Sequence, residues 1–508
     1  MTHERTRIGT LCATVVVLAC FLACSPSAHH APTRVVEPKV PPRPLSSMRR
    51  GGPNIVFVLT DDLSWNLVQF MPHVLEMQKH GVTFVNYFVT DSLCCPSRAS
   101  IFTGRFPHNT GIFSNRGADG GYAAFRKRGL EQSTLATALS LGGFRTAMMG
   151  KYLNGYTPGR HPVAPGWASW AVAGDGYAEF KYALNQDGSI VRHGRKPSDY
   201  LTDVLSGMAE DFIRGSGDVS FFIEIATFAP HAPYVPAPRD VDSLPGLRAP
   251  RTQAFGAAPD SNAPRWLLFH RPLSDDDVAS IDRDFRKRAQ SVLAVDAMIG
   301  ELQKTLSAIG QDKNTYFVFS SDNGYHMGEY RLMPGKMTAY DTDIRVPLIV
   351  TGPGVPANRT IEEIIQNVDL CPTFTEITGI PAPSAVDGHS IVPLLHGERV
   401  REWRTVALVE HHGPLQDPDD PDMPAVRSGN PTTYEALRTK AFLYVEYADG
   451  EREYHDLATD PDELRNSFSA LSAGERASLH TMLERNQRCS GPTNCWVAGL
   501  PRGSAEPG

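Results

Sequence analysis

The sequence is poor in the features that would send a chain to nucleic acid or fix it across a bilayer. Its 49 lysines and arginines are outnumbered by 56 acids, giving a formal charge of −7. That balance removes the electrostatic footprint of a nucleic-acid binder. Cysteine is scarce, with 8 in 508 residues, and no His/Cys set carries structural-zinc spacing. The one long apolar run, "IGTLCATVVVLACFLAC", is short for a spanning helix and gives way to the polar, proline-rich "SPSAHHAPTRVVEPKVPPRP". With "HERTR" before it, the run has the length and flanks of a signal peptide. What remains is ordinary for a folded enzyme: 41% hydrophobic and 21% charged residues exclude a disordered chain. The length accommodates one large domain and a smaller one.

The organisation expected is a targeting segment over 1–24, a proline-rich linker over 25–52, a large domain over 53–385 and a subdomain over 386–508. The chain is expected to be exported. Ala23-Cys24 resembles a bacterial lipobox and Val17-Leu18-Ala19-Cys20 competes with it, so a lipid anchor in the cell envelope and free secretion both stay open. In an oxidising compartment "CSGPTNC" predicts a disulfide between Cys489 and Cys495.

Four apolar, β-rich stretches each run into a reactive side chain. "NIVFVLTDD" stops at Asp61-Asp62, "FRTAMMGK" at Lys151, "VSFFIEIATFAPH" at His231 and "NTYFVFSSDNG" at Asp322-Asn323. Helical segments such as "QSTLATALSLGG" and "RKRAQSVLAVDAMIGELQKTLSAIG" lie between them. The alternation predicts an α/β, doubly wound, mostly parallel sheet covered on both faces. The strand-end groups should then gather at one sheet edge. Asp61, Asp62, Asp322 and Asn323 supply the oxygen ligands a hard cation prefers, Ca²⁺ or Mg²⁺. Singly, each acid pair is equally a turn or helix cap. After residue 386, "TVALVEHH", "AFLYVEYADG" and "REYHDL" read as strands before a helix around "AGERASLHTMLERN".

The segment Cys94-Cys95-Pro96-Ser97-Arg98, followed by Thr103-Gly104-Arg105, resembles the signature of type I sulfatases, C-x-P-S-R-x-x-x-x-T-G-R. The likeness extends to "MMGKYLNGY", "FAPHAPY", "SSDNGYHMGEYRL" and "PGKMTAYDTDIRVPLIVTGPG", and covers about residues 54 to 485. It implies an alkaline-phosphatase-like fold with a small C-terminal α+β subdomain. It also implies that Cys94, not Cys95, is oxidised to formylglycine by a formylglycine-generating enzyme. Many sulfatases read G-K-W-H-L-G where this chain has Gly150-Lys151-Tyr152-Leu153-Asn154-Gly155. Leu153 replaces a histidine, so one contact must come from elsewhere. The G-K-Y-L-N form is similar to the glucosamine-6-sulfatase branch.

The resemblance implies roles for named residues. Asp61, Asp62, Asp322, Asn323 and the oxygen of residue 94 would hold Ca²⁺, and Arg98 would steady residue 94 and a metal-site carboxylate. Lys151 and Lys336 would offset charge on the transferring sulfuryl group, His231 would exchange a proton with the departing alcohol, and His326 would contact substrate. Ser97 is expected to cap its helix. The implied substrate is a sulfated sugar or small organic sulfate. Two rival readings are a phosphonate monoester or phosphodiester hydrolase of the same superfamily, and an unactivated carbohydrate-binding relative. The long polar segment over 232–280 should rim the pocket, its Arg239, Arg248, Arg251 and Arg265 either reading an anionic sugar or simply solvated.

Overall fold

The computed structural model describes residues 44–501 apart from 419 and 421. The targeting segment with Cys20 and Cys24, and most of the linker, lie outside the described residues. Among the described residues no helix is long and apolar enough to cross a membrane.

A ten-stranded sheet organises the chain. Its strands are β1 (Asn54–Thr60), β2 (Val82–Phe84), β3 (Arg145–Lys151), β4 (Ser169–Ala173), β5 (Ala183–Gln186), β6 (Ser189–Arg192), β7 (Phe221–Ala226), β8 (Thr315–Ser321), β9 (Leu348–Thr351) and β10 (Arg359–Ile361). They lie in the order β10-β2-β9-β8-β1-β7-β3-β4-β5-β6. The central run from β8 to β4 is parallel, while β9, β5 and β6 add antiparallel pairings towards the edges. Every residue of β1, β7 and β8 is buried, as expected of strands covered on both sides.

Alternate residues feed two separate cores. Ile55, Phe57 and Leu59 of β1 face one cluster, with Ala99 and Phe102 of α2 (Cys94–Thr103), Leu135 and Leu139 of α3 (Leu135–Leu141) and Phe374 of α6 (Leu370–Thr378). Val56 and Val58 face the other, with Val74 and Met77 of α1 (Pro72–His80), Leu205 and Phe212 of α4 (Leu201–Arg214) and Ile281 and Val292 of α5 (Asp275–Ala308). Each of the larger side chains contributes about 1.5–3 kcal/mol on full burial, and together they make the sheet a rigid platform. This is the doubly wound architecture that the alternating sequence predicts.

A second, four-stranded antiparallel sheet follows: β11 (Val406–His411), β12 (Tyr434–Thr439), β13 (Phe442–Tyr447) and β14 (Arg452–Asp456), with α7 (Ala473–Gln487) behind it. Three of its strands and the helix match the sequence expectation. The "YEALRT" strand β12 was not expected, because Glu435 and Arg438 interrupt its apolar pattern. Cys489 and Cys495 form the expected disulfide. In the 232–280 segment Arg239 pairs with Asp203, Arg251 with Asp282 and Arg265 with Glu451, so these three arginines are committed to local carboxylates.

Candidate active site

The parallel pairing brings four strand ends to one edge. Thr60 and Ser321 are register partners on β1 and β8, and the backbone N–H of Asp322 donates to Thr60 O at 3.1 Å. Asp61-Asp62 and Asp322-Asn323 therefore emerge side by side. On β3, Gly150 adopts φ +94°, and a Cβ there would come within 1.9 Å of the Ala226 carbonyl. Only glycine lets β3 approach β7 this closely, and Lys151 is aimed as the next residue. Asp62 adopts φ +63°, a left-handed conformation uncommon outside glycine and recurrent at functional sites.

Helix α2 presents Cys94 in its first turn, where Pro96 is tolerated because it needs no donor. Ser97 does not cap this helix. Leu93 occupies the N-cap, and the Ser97 hydroxyl instead donates to Asp322 O while accepting from Asn367 Nδ2. Ser97 stands one turn too far along to reach the first N–H groups. The side chain of Asn115 takes one of them, accepting from Cys95 N at 3.0 Å.

Asp61, Asp62, Cys94 and His231 place ligand atoms all within 4.8 Å of one another. Cys94 Sγ donates to Asp61 Oδ1 at 3.2 Å. Lys151 Nζ reaches Asp61 Oδ2 at 2.6 Å, and Lys336 Nζ reaches Asp62 Oδ1 at 2.7 Å and Cys94 Sγ at 2.9 Å. Asp322 stands beside this cluster and receives the contact to a carboxylate expected of Arg98. Its Oδ2 accepts from Arg98 Nε at 2.8 Å, while Oδ1 accepts from the backbone of Asp62 and Asn323. Asn323 Nδ2 donates to Asp62 Oδ1 at 2.7 Å, and its Oδ1 is buried with no partner. An acid-lined pocket bearing an unpartnered amide oxygen suits a hard cation.

His326 is brought elsewhere. Its ring nitrogens engage Asp343 at 3.0 Å and the Ser428 carbonyl at 2.9 Å, so both polar atoms are used within the protein rather than directed at Cys94.

The strongest unexpected member is Asp422. It lies between β11 and β12, in a run, "DPDDPD", that reads as a solvated turn and gives no periodic or spacing signal. Its Oδ1 accepts from Lys336 Nζ and His231 Nε2, both at 2.6 Å, and lies 3.7 Å from Cys94 Sγ. Its Oδ2 accepts from Asn115 Nδ2 at 2.7 Å and Asn154 Nδ2 at 2.8 Å. Tyr177 was also missed: Lys151 Nζ sits 4.9 Å from its ring centre and the His231 ring 4.6 Å away.

The charges perturb one another strongly. Burial lifts the Cys94 thiol well above its ordinary pKa, and Asp322, Asp422 and Asp61 push it further. An unmodified thiol here is therefore held protonated and is a poor nucleophile. Burial opposes the charging of His231, but Asp62, Asp61 and Asp422 outweigh it and raise its pKa. Lys151 and Lys336 are likewise held charged by their carboxylates against burial. Burial also opposes ionisation of Asp422, yet Lys336, His231 and Lys151 hold it well below the usual carboxylate range. A 370 Å³ hollow lined by Gln303, Thr315 and Gly352 opens instead at the opposite end of β8, far from this chemistry.

Comparison with known proteins bears directly on this constellation. A family model described as Sulfatase matches residues 53–380, and one described as N-sulphoglucosamine sulphohydrolase, C-terminal, matches residues 328–488. N-acetylglucosamine-6-sulfatase of Homo sapiens is 34% identical over 483 residues, covering 88% of this chain and 86% of that protein. The Drosophila melanogaster extracellular sulfatase SULF-1 homolog is 32% identical over 427 residues, 81% of this chain and 38% of its own length. A protein solved in complex with its substrate D-glucosamine-2-N,6-O-disulfate matches with TM-score 0.70 at 24% identity, covering 87% of this chain and 98% of that one. The phosphonate monoester hydrolase of Agrobacterium radiobacter matches with TM-score 0.64 at 21% identity, covering 86% and 96%. At those identities the structures speak for the shared alkaline-phosphatase-like fold alone.

Proposed function

Since the chain belongs to the sulfatase family, we propose that it is an exported sulfuric ester hydrolase that releases sulfate from a sulfated sugar, with residue 94 acting as formylglycine. The observation that carries this is the convergence of Cys94, Lys151, His231 and Lys336 on one buried point, beside acids fit for a divalent cation. The 6-sulfated glucosamine class is favoured by the likeness to N-acetylglucosamine-6-sulfatase across nearly the whole chain. Export is supported by the extracellular sulfatases among the relatives.

Asp61, Asp62, Asp322 and Asn323, with residue 94, would hold Ca²⁺ or Mg²⁺, which supplies Lewis-acid polarisation and lowers the pKa of a bound hydroxyl. Formylglycine at residue 94 would contribute two geminal hydroxyls, one to attack sulfur and one to expel sulfate afterwards. The protein's own groups do the rest. Arg98 fixes the Asp322 carboxylate and donates to Lys151 O at 2.8 Å, joining the helix to β3. Lys151 and Lys336 place fixed positive charge where sulfuryl oxygens gain negative charge. His231 donates Nδ1–H to Ala232 O at 2.7 Å, which turns Nε2 towards Cys94 and the leaving alcohol. Burial keeps water from these charges and strengthens each of them.

The test is hydrolysis of 4-nitrophenyl sulfate, 4-nitrophenyl phosphate diesters and 6-sulfated N-acetylglucosamine by protein matured with the generating enzyme. Turnover of both sulfates, with little on the diester, is the expected result. A preference for the diester or for phosphonate monoesters would replace this reading with the phosphonate hydrolase one, which the second fold match keeps in view.

A further inference from the structure

Asp422 does not behave as one more acid of the metal cluster. Every polar partner of its carboxylate other than Cys94 is an N–H donor: Lys336 and His231 on Oδ1, Asn115 and Asn154 on Oδ2. The donors come from four separate stretches of chain, and its side chain is 0% exposed. A carboxylate filling a ring of four donors beside residue 94 sits as a bound anion would.

The ring does not depend on Asp422. Lys336 Nζ is independently held by Asp62 and Cys94 Sγ. Asn115 is fixed through Cys95 N, and His231 through Ala232 O. Remove the carboxylate and these three donors stay in place, aimed at one anion, while Asn154, whose side chain bonds only Asp422, is left with a free donor facing the same point. The site is closed while it is there: Cys94 is 0% exposed, leaving no path for an ester to residue 94.

We propose that Asp422 is an internal occupant of the sulfuryl seat. Its two oxygens mark two of the four positions that the oxygens of a sulfate ester would take, Oδ1 at the ester oxygen that His231 faces and Oδ2 at a peripheral one, and it must leave before substrate enters. Asn115 and Asn154 are then substrate-binding donors, Asn154 supplying from the next residue the contact forgone at Leu153. This rests on the sulfuryl-transfer reading of the same site. A protein whose binding-competent state is only partly populated binds its ligand more weakly by that fraction, so a self-filled seat tunes affinity for anionic substrate.

The test uses the matured, metal-loaded full chain and inorganic sulfate as probe, with affinity read by calorimetry and the approach rate by stopped-flow fluorescence. Asp422→Ala should bind sulfate at least about tenfold more tightly, and Asp422→Ala combined with Asn154→Ala should lose most of that gain. The binding rate of the unaltered protein should level off with sulfate concentration at the rate of Asp422 departure, and that plateau should vanish in Asp422→Ala. Unchanged or weaker sulfate binding by Asp422→Ala overturns the proposal, as does a plateau that persists. A fall in bound metal in Asp422→Ala also overturns it, making Asp422 a metal ligand instead. Turnover of 4-nitrophenyl sulfate is scored apart. If that is absent while Asp422→Ala still tightens sulfate, the reaction falls and the seat stands.

Discussion

Arg98 Nε donates to Asp322 Oδ2 at 2.8 Å with both side chains fully buried, so one ion pair ties the helix that opens at Cys94 to a strand end 224 residues further on. The pair is structural and chemical at once. It fixes a proposed metal carboxylate and the turn that presents residue 94.

Asp322→Ala is expected to lose both bound metal and sulfatase turnover, because the cation forfeits an anionic ligand. It should also be less stable by about 3–5 kcal/mol, the usual cost of leaving one member of a buried ion pair uncompensated. Metal content by plasma spectrometry and a denaturant melt check the two halves. Full metal occupancy with near-normal turnover would place the cation elsewhere.

Cys94 and Cys95 should separate cleanly. Cys95 is buried among apolar side chains of the first core, its thiol pushed up to about 12 by that burial, and its sulfur meets backbone of Gly121 and Asn154. Cys95→Ser should therefore mature and turn over nearly as the parent does. Cys94→Ser has one hydroxyl and none to expel the sulfuryl group, so turnover should fall by orders of magnitude. The tryptic peptide carrying residue 94 should be about 18 Da lighter than its cysteine form in the parent and in Cys95→Ser. Dead Cys95→Ser beside active Cys94→Ser would reverse the assignment.

A pH effect should appear far from the chemistry. His455, on strand β14 of the second sheet, is buried with Nε2 at 3.0 Å from Glu453 and Nδ1 at 3.5 Å from Asp460. Burial opposes its charge, but Asp460 and Glu453 win and raise its pKa to about 9. A folded pKa above the unfolded value of about 6.5 stabilises fully below that pH, and the gain is lost as pH rises through 9. The nearby Glu463, held neutral by burial up to about 8, has the same sign: the fold binds its proton more tightly. Unfolding midpoints should drop between pH 6.5 and 9.5, and His455→Asn should flatten that slope while lowering stability at pH 6.5. A slope unchanged by the substitution would show that His455 is not its source.

The fold and much of the site were legible for a simple reason. Continuous apolar strands that end in Asp61, Lys151, His231 or Asp322 carry both their burial and their chemistry in a few consecutive residues. Asp422, Asn115 and Tyr177 carry neither. Their roles arise from loops folded back over the sheet edge, where no period exists and where an acid in "DPDDPD" is indistinguishable from a solvated one. His326 shows the converse: a histidine beside a site motif reads as a substrate contact, and here its nitrogens engage Asp343 and Ser428.

His231 offers the test most specific to mechanism. Its Nδ1 faces the Ala232 carbonyl and its Nε2 the Asp422 carboxylate; both partners only accept, so the ring is held as imidazolium, in line with its raised pKa. With Asp422 withdrawn, Nε2–H is free to protonate a departing alkoxide. The need for that proton depends on the alcohol. Nitrophenolate leaves readily without it, whereas a sugar alkoxide does not. His231→Gln should therefore lose roughly 10²–10⁴ in kcat on a 6-sulfated sugar, the range of general-acid assistance, and far less on 4-nitrophenyl sulfate. The sugar rate of the parent should also fall as pH rises and the His231 ring loses its proton, with no such limb in His231→Gln. Equal losses on both esters would make His231 a positioning group or metal ligand and remove it as the acid.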